Sequence, residues 1–166
     1  MTDGFLTRLL EHNNWANSEL LDACEALADF QLDFQPQLVV RGTIRDTLQH
    51  LVTSQEDYAW MATKFDHPPD RPEPLSFTAL REVAARSGQA LVSLASNASE
   101  EFAQSRIELT DGYKVELWVF IVQAINHATE HREQIKGILT SLGIEPPKID
   151  GWRFGRRNGA LIPPDA

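Results

Sequence analysis

The stretch Asn126-His127-Ala128-Thr129-Glu130-His131-Arg132 sits inside the longest helix-like run of the chain, and its reading decides the fold. Around it apolar residues recur as Leu117, Phe120, Ile121, Ala124, Ala128, Ile135, Ile138 and Leu142, the 3.6-residue period of a helix with one face against a core. His127 and His131 fall on or beside that face. Four residues apart on a helix, their side chains stand about 5–6 Å from each other, which is a chelating geometry. Chance supplies such pairs, so the spacing alone is weak evidence. Their place in an apolar stripe counts for more, because imidazoles buried in a core need partners.

Working outward, the helix is expected from about Glu116 to Leu142, stopped by Gly143 at the left-handed C′ position and by Pro146 and Pro147. Just before it the texture changes to alternation: Ser105, Ile107 and Leu109, then Asp111-Gly112, then Tyr113, Val115 and Leu117. That pattern predicts a short hairpin turning at Asp-Gly in a type I′ turn. A third amphipathic run opens at Leu75 or Ser76 and carries Phe77, Leu80, Ala84, Ser87, Leu91, Leu94 and Ala98, with Gly88 weakening but not ending it. Before that, Thr43-Ile44-Arg45-Asp46 reads as a capping-box start to a helix reaching about Lys64. The first run, about Gly4 to Ala28, places Leu6, Leu9, Leu10, Asn13, Ala16, Leu20, Leu21, Cys24 and Leu27 on one face, with Asp3 as N-cap.

Long loops separate these runs: Asp29 to Gly42, and the proline-dense Asp66 to Pro74, where His67 faces solvent. Four helices with little strand make an all-α protein, a four-helix bundle with long crossover loops and a short β-hairpin before the last helix. The chain is read as a single domain over residues 1–166, with the bundle at about 4–143 and a C-terminal tail at 144–166. In that tail Trp152 and Phe154 suggest docking on the bundle or on a second subunit, against a solvated tail as the equal alternative.

With 166 residues, 42% hydrophobic and 23% charged, the composition is that of a soluble globular domain large enough to bury a core. A net charge of −9 repels a phosphate backbone, so no nucleic-acid partner is expected. No apolar run approaches the length of a membrane span and the N-terminus lacks a signal-peptide pattern, so no membrane association and a cytoplasmic location are expected. The lone Cys24 lies in an apolar pattern and reads as buried filler.

Bundles build cofactor sites inside, from side chains on facing helices. The His127/His131 pair needs a third ligand, and the candidates are His50, His12 and the carboxylates Glu130, Asp57 and Glu56. Periodicity alone puts His50 at the margin of its helix's apolar face, where a solvated or hydrogen-bonded role outweighs ligation. Asn13 and Asn17, four apart beside the stripe of the first helix, fit either helix packing or the lining of a site.

Taken together, Trp15-Ala16-Asn17 on the first helix, Leu48-Gln49-His50-Leu51 on the second and His127 through Ile135 on the last resemble the DinB/YfiT-like superfamily of metal-dependent proteins. Its members are four-helix bundles with one histidine on the second helix and a His-x-x-x-His pair, usually followed by Arg and Gln, on the last. The resemblance covers about residues 4–143 and implies a metal site of His50, His127 and His131. It departs from the usual pattern at Ala128, where Glu is common, and at Glu133, where Gly is usual; the ligands survive, but substrate contacts differ. His12 stands where relatives often carry an aromatic residue.

Three neutral imidazoles leave the +2 charge of an ion uncompensated and a coordination position open, as in catalytic sites, and nitrogen ligands suit zinc, nickel or iron alike. Some members of the superfamily use a low-molecular-weight thiol as cosubstrate, so the resemblance implies a divalent-metal-dependent transferase acting on a small-molecule substrate. In that reading Arg132 orients an anionic group and Asn17 lines the site, although an outward Arg132 paired with an acid is the stronger plain reading. The alternatives are a metal-dependent hydrolase using water and a non-catalytic metal-binding bundle. The family's habit of pairing, with Trp152 and Phe154, implies a homodimer.

Overall fold

A computed structural model describes residues 4–36, 42–64, 74–97, 99, 104–109 and 112–163. The main elements are α1 (Phe5–Glu25), α2 (Asp29–Leu32), α3 (Ile44–Lys64), α4 (Phe77–Asn97), β1 (Arg106–Glu108), β2 (Lys114–Glu116), α5 (Leu117–Ser141) and α6 (Gly151–Arg157). The four long helices form the expected bundle. In cross-section α1 and α3 lie on one diagonal and α4 and α5 on the other, so each long helix packs on both members of the opposite pair.

Cross-helix partners give the directions. Thr7 meets Ser96 while Arg81 meets Asp22 and Glu25, so α1 and α4 are antiparallel. Gln55 reaches Ala84 and Ser87, and Leu10, Ala59 and Leu91 share one cluster while Leu48 and Leu80 share another, so α3 and α4 run the same way. Helix α5 opposes α3 and runs with α1. Two parallel neighbours within the bundle are what long crossovers permit.

The core follows the apolar stripes. Leu20, Leu21 and Cys24 of α1 pack with Leu48, Leu51 and Val52 of α3, Leu80 and Val83 of α4, and Ile135, Ile138 and Leu139 of α5. Each such leucine or isoleucine contributes about 1.5–3 kcal/mol through burial. Cys24 is within this cluster, and burial pushes its thiol up to about 12, an unreactive value.

The ends obey local chemistry. Asp46 Oδ2 accepts from the Thr43 amide at 3.2 Å, and Thr43 Oγ1 accepts from the Asp46 amide at 3.1 Å, a reciprocal capping box. Ser76 Oγ caps α4 by accepting from the Ala79 amide at 3.2 Å. Gly143 has φ +73°, and the Ile144 and Gly143 amides donate to the Leu139 and Thr140 carbonyls at 2.9 and 3.0 Å, closing α5 in a Schellman motif. Helix α1 begins one residue later than expected, with Gly4 at the N-cap and no side-chain cap, while Asp3 lies outside the described residues.

Three further differences have physical causes. The hairpin pairs Ile107 with Val115, as the alternation implies, and the Leu109 amide donates to the Tyr113 carbonyl, so three residues rather than two lie between the last partners; 110 and 111, on which the expected type I′ turn falls, lie outside the described residues. Gly112, at φ +87°, supplies the left-handed residue such a loop needs, and Asp111 lies outside the described residues. Helix α2, inside the stretch read as loop, is too short to show a period; it buries Leu32, and Asp29 and the following Asp33 hold Arg45 at 2.9 and 2.7 Å. The tail forms α6, capped by Asp150, which accepts from the Arg153 amide at 2.9 Å. Position 67 lies outside the described residues.

Candidate metal centre

Helices α3 and α5 are antiparallel neighbours, so the first turns of α3 face the middle of α5. That brings His50 across from the His127/His131 pair. The Nε2 atoms of His50 and His127 lie 3.1 Å apart, as do those of His127 and His131. All three ligand atoms fall within 4.8 Å of one another, the single such histidine, cysteine or carboxylate group among the described residues. A tetrahedral ion with Zn–N bonds of about 2.0–2.1 Å separates its nitrogens by about 3.3 Å, so the triangle is close to ligating size.

Hydrogen bonding cannot satisfy these nitrogens well. His131 Nδ1 lies 2.8 Å from the Gln134 amide oxygen, which only accepts, so the proton of a neutral His131 is on Nδ1 and its Nε2 is a lone pair. His127 Nε2 faces both its neighbours and has at most one proton to offer them. A cation at the centre is what such a donor set fits. The same crowding acts on His127, which burial first, and the nearby His131 and His50 next, push down to about 4. At neutral pH His127 is therefore a free base, ready to ligate. The Tyr58 ring packs against it in a T-shaped pair, 5.7 Å between ring centres.

Exposure grades outward, with His131 buried, His127 intermediate and His50 exposed. Two cavities open there. One of about 200 Å³ is lined by Gly42, Asp46, Thr47, His50, His131 and Gln134. The other, about 570 Å³, is lined by Arg45, Asp46, Gln49, His50, Thr53 and Pro74, so His50 and Asp46 stand between the two.

The remaining candidates lie elsewhere. His12 Nε2 sits 2.9 Å from the Ile149 carbonyl, and its ring packs with Trp15 and Phe154, so it anchors the tail to α1 and is not part of the cluster. Burial pushes its pKa down. Glu56 is buried and paired with Arg86 at 2.6 Å, Glu130 is exposed, and neither they nor Asp57 joins the histidines.

Arg132 does not face outward toward an acid. It is 4% exposed, and its Nη1 donates to the amide oxygens of Asn13 and Asn17, both at 2.7 Å, while Nη2 donates to Thr129 at 3.0 Å. The Asn13 and Asn17 amide nitrogens donate to Gln55 Oε1 at 3.2 and 2.9 Å, and Gln55 Nε2 donates to Ser87 Oγ at 2.9 Å and to the Ala84 carbonyl at 3.1 Å. Burial pushes the guanidinium down to about 10, and it remains charged at neutral pH. One buried polar layer thus joins all four long helices, beginning at the residue next to His131. The role of Gln55 was hidden because one amide in an apolar stripe looks like a boundary residue. That of Gln134 was detectable, since it stands one turn beyond His131 on the same face.

The fold and the cluster define a four-helix bundle with a three-histidine site on two facing helices. The profile of the DinB family matches residues 1–161, and the chain belongs to that family. A DinB-like protein of Bacillus subtilis superposes with a TM-score of 0.64 at 17% identity over 86% of this chain and 98% of its own. A DinB-like protein of Bacillus cereus gives 0.65 at 19% identity over 86% and 94%. At these identities the likeness is one of fold. No curated protein matches the sequence.

Proposed function

We propose that the protein is a metal-dependent enzyme in which His50, His127 and His131 hold a divalent ion, zinc, nickel or iron, and a low-molecular-weight thiol is transferred to an electrophilic small molecule. The observation that carries the reading is the convergence of three Nε2 atoms, two pairs of them at 3.1 Å, beside a cavity of about 200 Å³. A divalent ion bound there supplies Lewis acidity, bringing the pKa of a thiol or water toward neutrality. The protein's own part is to orient the three imidazoles, to keep His127 a free base and to offer the two cavities as room for both reactants. Arg132 and Asn17 enter the proposal as the fixed positive layer behind His131, which favours an anionic reactant.

Protein purified without chelator is expected to contain one equivalent of divalent metal, lost in His127→Ala and in His131→Ala while the helical circular dichroism persists. Full retention in both variants would sink the site, and unchanged affinity in His50→Ala would remove the third ligand. A screen of thiols against electrophilic acceptors tests the reaction; turnover without thiol would turn the reading to hydrolysis by water. Among the described residues no helix is long and apolar enough to cross a membrane. A cytoplasmic homodimer belongs to the same proposal, supported by Trp152 at 77% exposure and Phe5 at 92%, and a monomeric mass at high concentration contradicts it.

A further inference from the structure

His131 is the most buried of the three histidines, and the second nitrogen of its ring is held by one group, the Gln134 side chain. Gln134 stands on α5 one turn past His131, its Oε1 lies 2.8 Å from Nδ1, and it also lines the smaller cavity beside His50 and His131. Nothing in the packing of α5 demands an amide here. Its neighbours Arg132 and Ile135 face the interior, and Glu133 pairs outside with Lys136 at 2.7 Å. The corresponding partner of His50 is Ser54, whose hydroxyl is 3.4 Å from Nδ1. A hydroxyl can donate or accept, so it leaves the tautomer of His50 open. An amide oxygen only accepts, so it decides the matter for His131.

We propose that Gln134 is a positioning residue: it holds His131 as the Nδ1–H tautomer, turning the Nε2 lone pair into the cluster, and as a neutral acceptor it keeps the site free of the negative charge a carboxylate would add. Carboxylates are common behind metal-bound histidines, where they raise the basicity of the ligand and the affinity for the ion. An amide gives the orientation with less of that charge. An ion held by these histidines would be bound less tightly than behind a carboxylate and would remain more electrophilic toward a reactant in the adjoining cavity. The tautomer half of the inference stands on the geometry alone; the affinity half rests on the metal reading above.

Long-range ¹H–¹⁵N correlation of the histidine rings in the metal-free protein at neutral pH reads the tautomer directly. His131 is expected as Nδ1–H in the wild type and in Gln134→Glu, and shifted toward Nε2–H in Gln134→Ala. Zinc affinity by chelator competition is expected to fall about 10–100-fold in Gln134→Ala and to return to or exceed the wild-type value in Gln134→Glu, with circular dichroism unchanged. A residue needed only for packing would show no gain from the added carboxylate. A wild-type His131 carrying its proton on Nε2, or a Gln134→Ala protein with both tautomer and zinc affinity unchanged, overturns the proposal. If the wild type binds no divalent ion, the metal reading fails, and the ring spectra still decide the role of Gln134.

Discussion

Replacing Arg132 by Met tests whether the buried polar layer is a single unit. The guanidinium donates to Asn13 and Asn17, which are 0% and 1% exposed, so after the substitution two amide oxygens are left in the interior without a donor. Each costs about 1–3 kcal/mol. Thr129 is exposed and recovers its bond from water. Against this, removing a buried cation returns part of its desolvation penalty, and Met fills much of the same volume. The acceptors dominate, for a net loss of about 2–3 kcal/mol, because Asn13 and Asn17 are tied to Gln55 through their nitrogens and cannot turn away. For a chain of this size that is a drop of about 4–12 °C in melting temperature. The assay is urea unfolding of metal-free protein, with Arg132→Met also placed on an Asn13→Ala/Asn17→Ala background, where it should cost at least about 1 kcal/mol less. A variant as stable as the wild type, or strict additivity across the cycle, would falsify the account of one connected layer.

Gly88 faces Asn14 so closely that a Cβ there would lie 2.6 Å from Asn14 Cγ and 2.7 Å from its Nδ2. Gly88→Ala should push the Asn14 amide, whose Oδ1 has no hydrogen-bond partner, out of place, so its helix-propensity gain of up to about 1 kcal/mol is reduced, and adding Asn14→Ala should restore that gain, measured by thermal melts. Gly143 at φ +73° predicts that Gly143→Ala costs about 1 kcal/mol by the same assay. His127 is pushed from 6.5 to about 4 in the fold, so the unfolded chain takes up the proton first as pH falls. Its contribution to stability is complete above about pH 6.5 and is lost on the way down to about pH 4. Melting temperatures of metal-free protein should decline over that window, and less steeply in His127→Asn.

The long helices were legible because each carries an uninterrupted 3.6-residue stripe, and the capping box at Thr43 and the stop at Gly143 because their chemistry is local. Helices α2 and α6 were not, since four and seven residues do not establish a period. Within the site, the spacing of His127 and His131 was visible on one helix, whereas His50 on periodicity alone stood at a margin and joined the pair only through resemblance. Its place beside the pair depends on which helix lies opposite, a fact of topology. Arg132 was misread as outward for a related reason: its partners lie 115 and 119 residues away on α1, and no local pattern pairs an arginine with two distant amides.

All three histidines stand on α3 and α5, while Gly42 and Pro74, at the described ends of two connections between helices, form part of the cavity walls. Apart from these two, the cavity walls are made of α3 and α5 residues, so the pair of helices that carries the histidine triangle also carries most of the surface around it. A substitution that shifts α3 against α5 therefore reshapes the triangle and the cavity walls together, whereas a change at Gly42 or Pro74 touches one wall of one cavity.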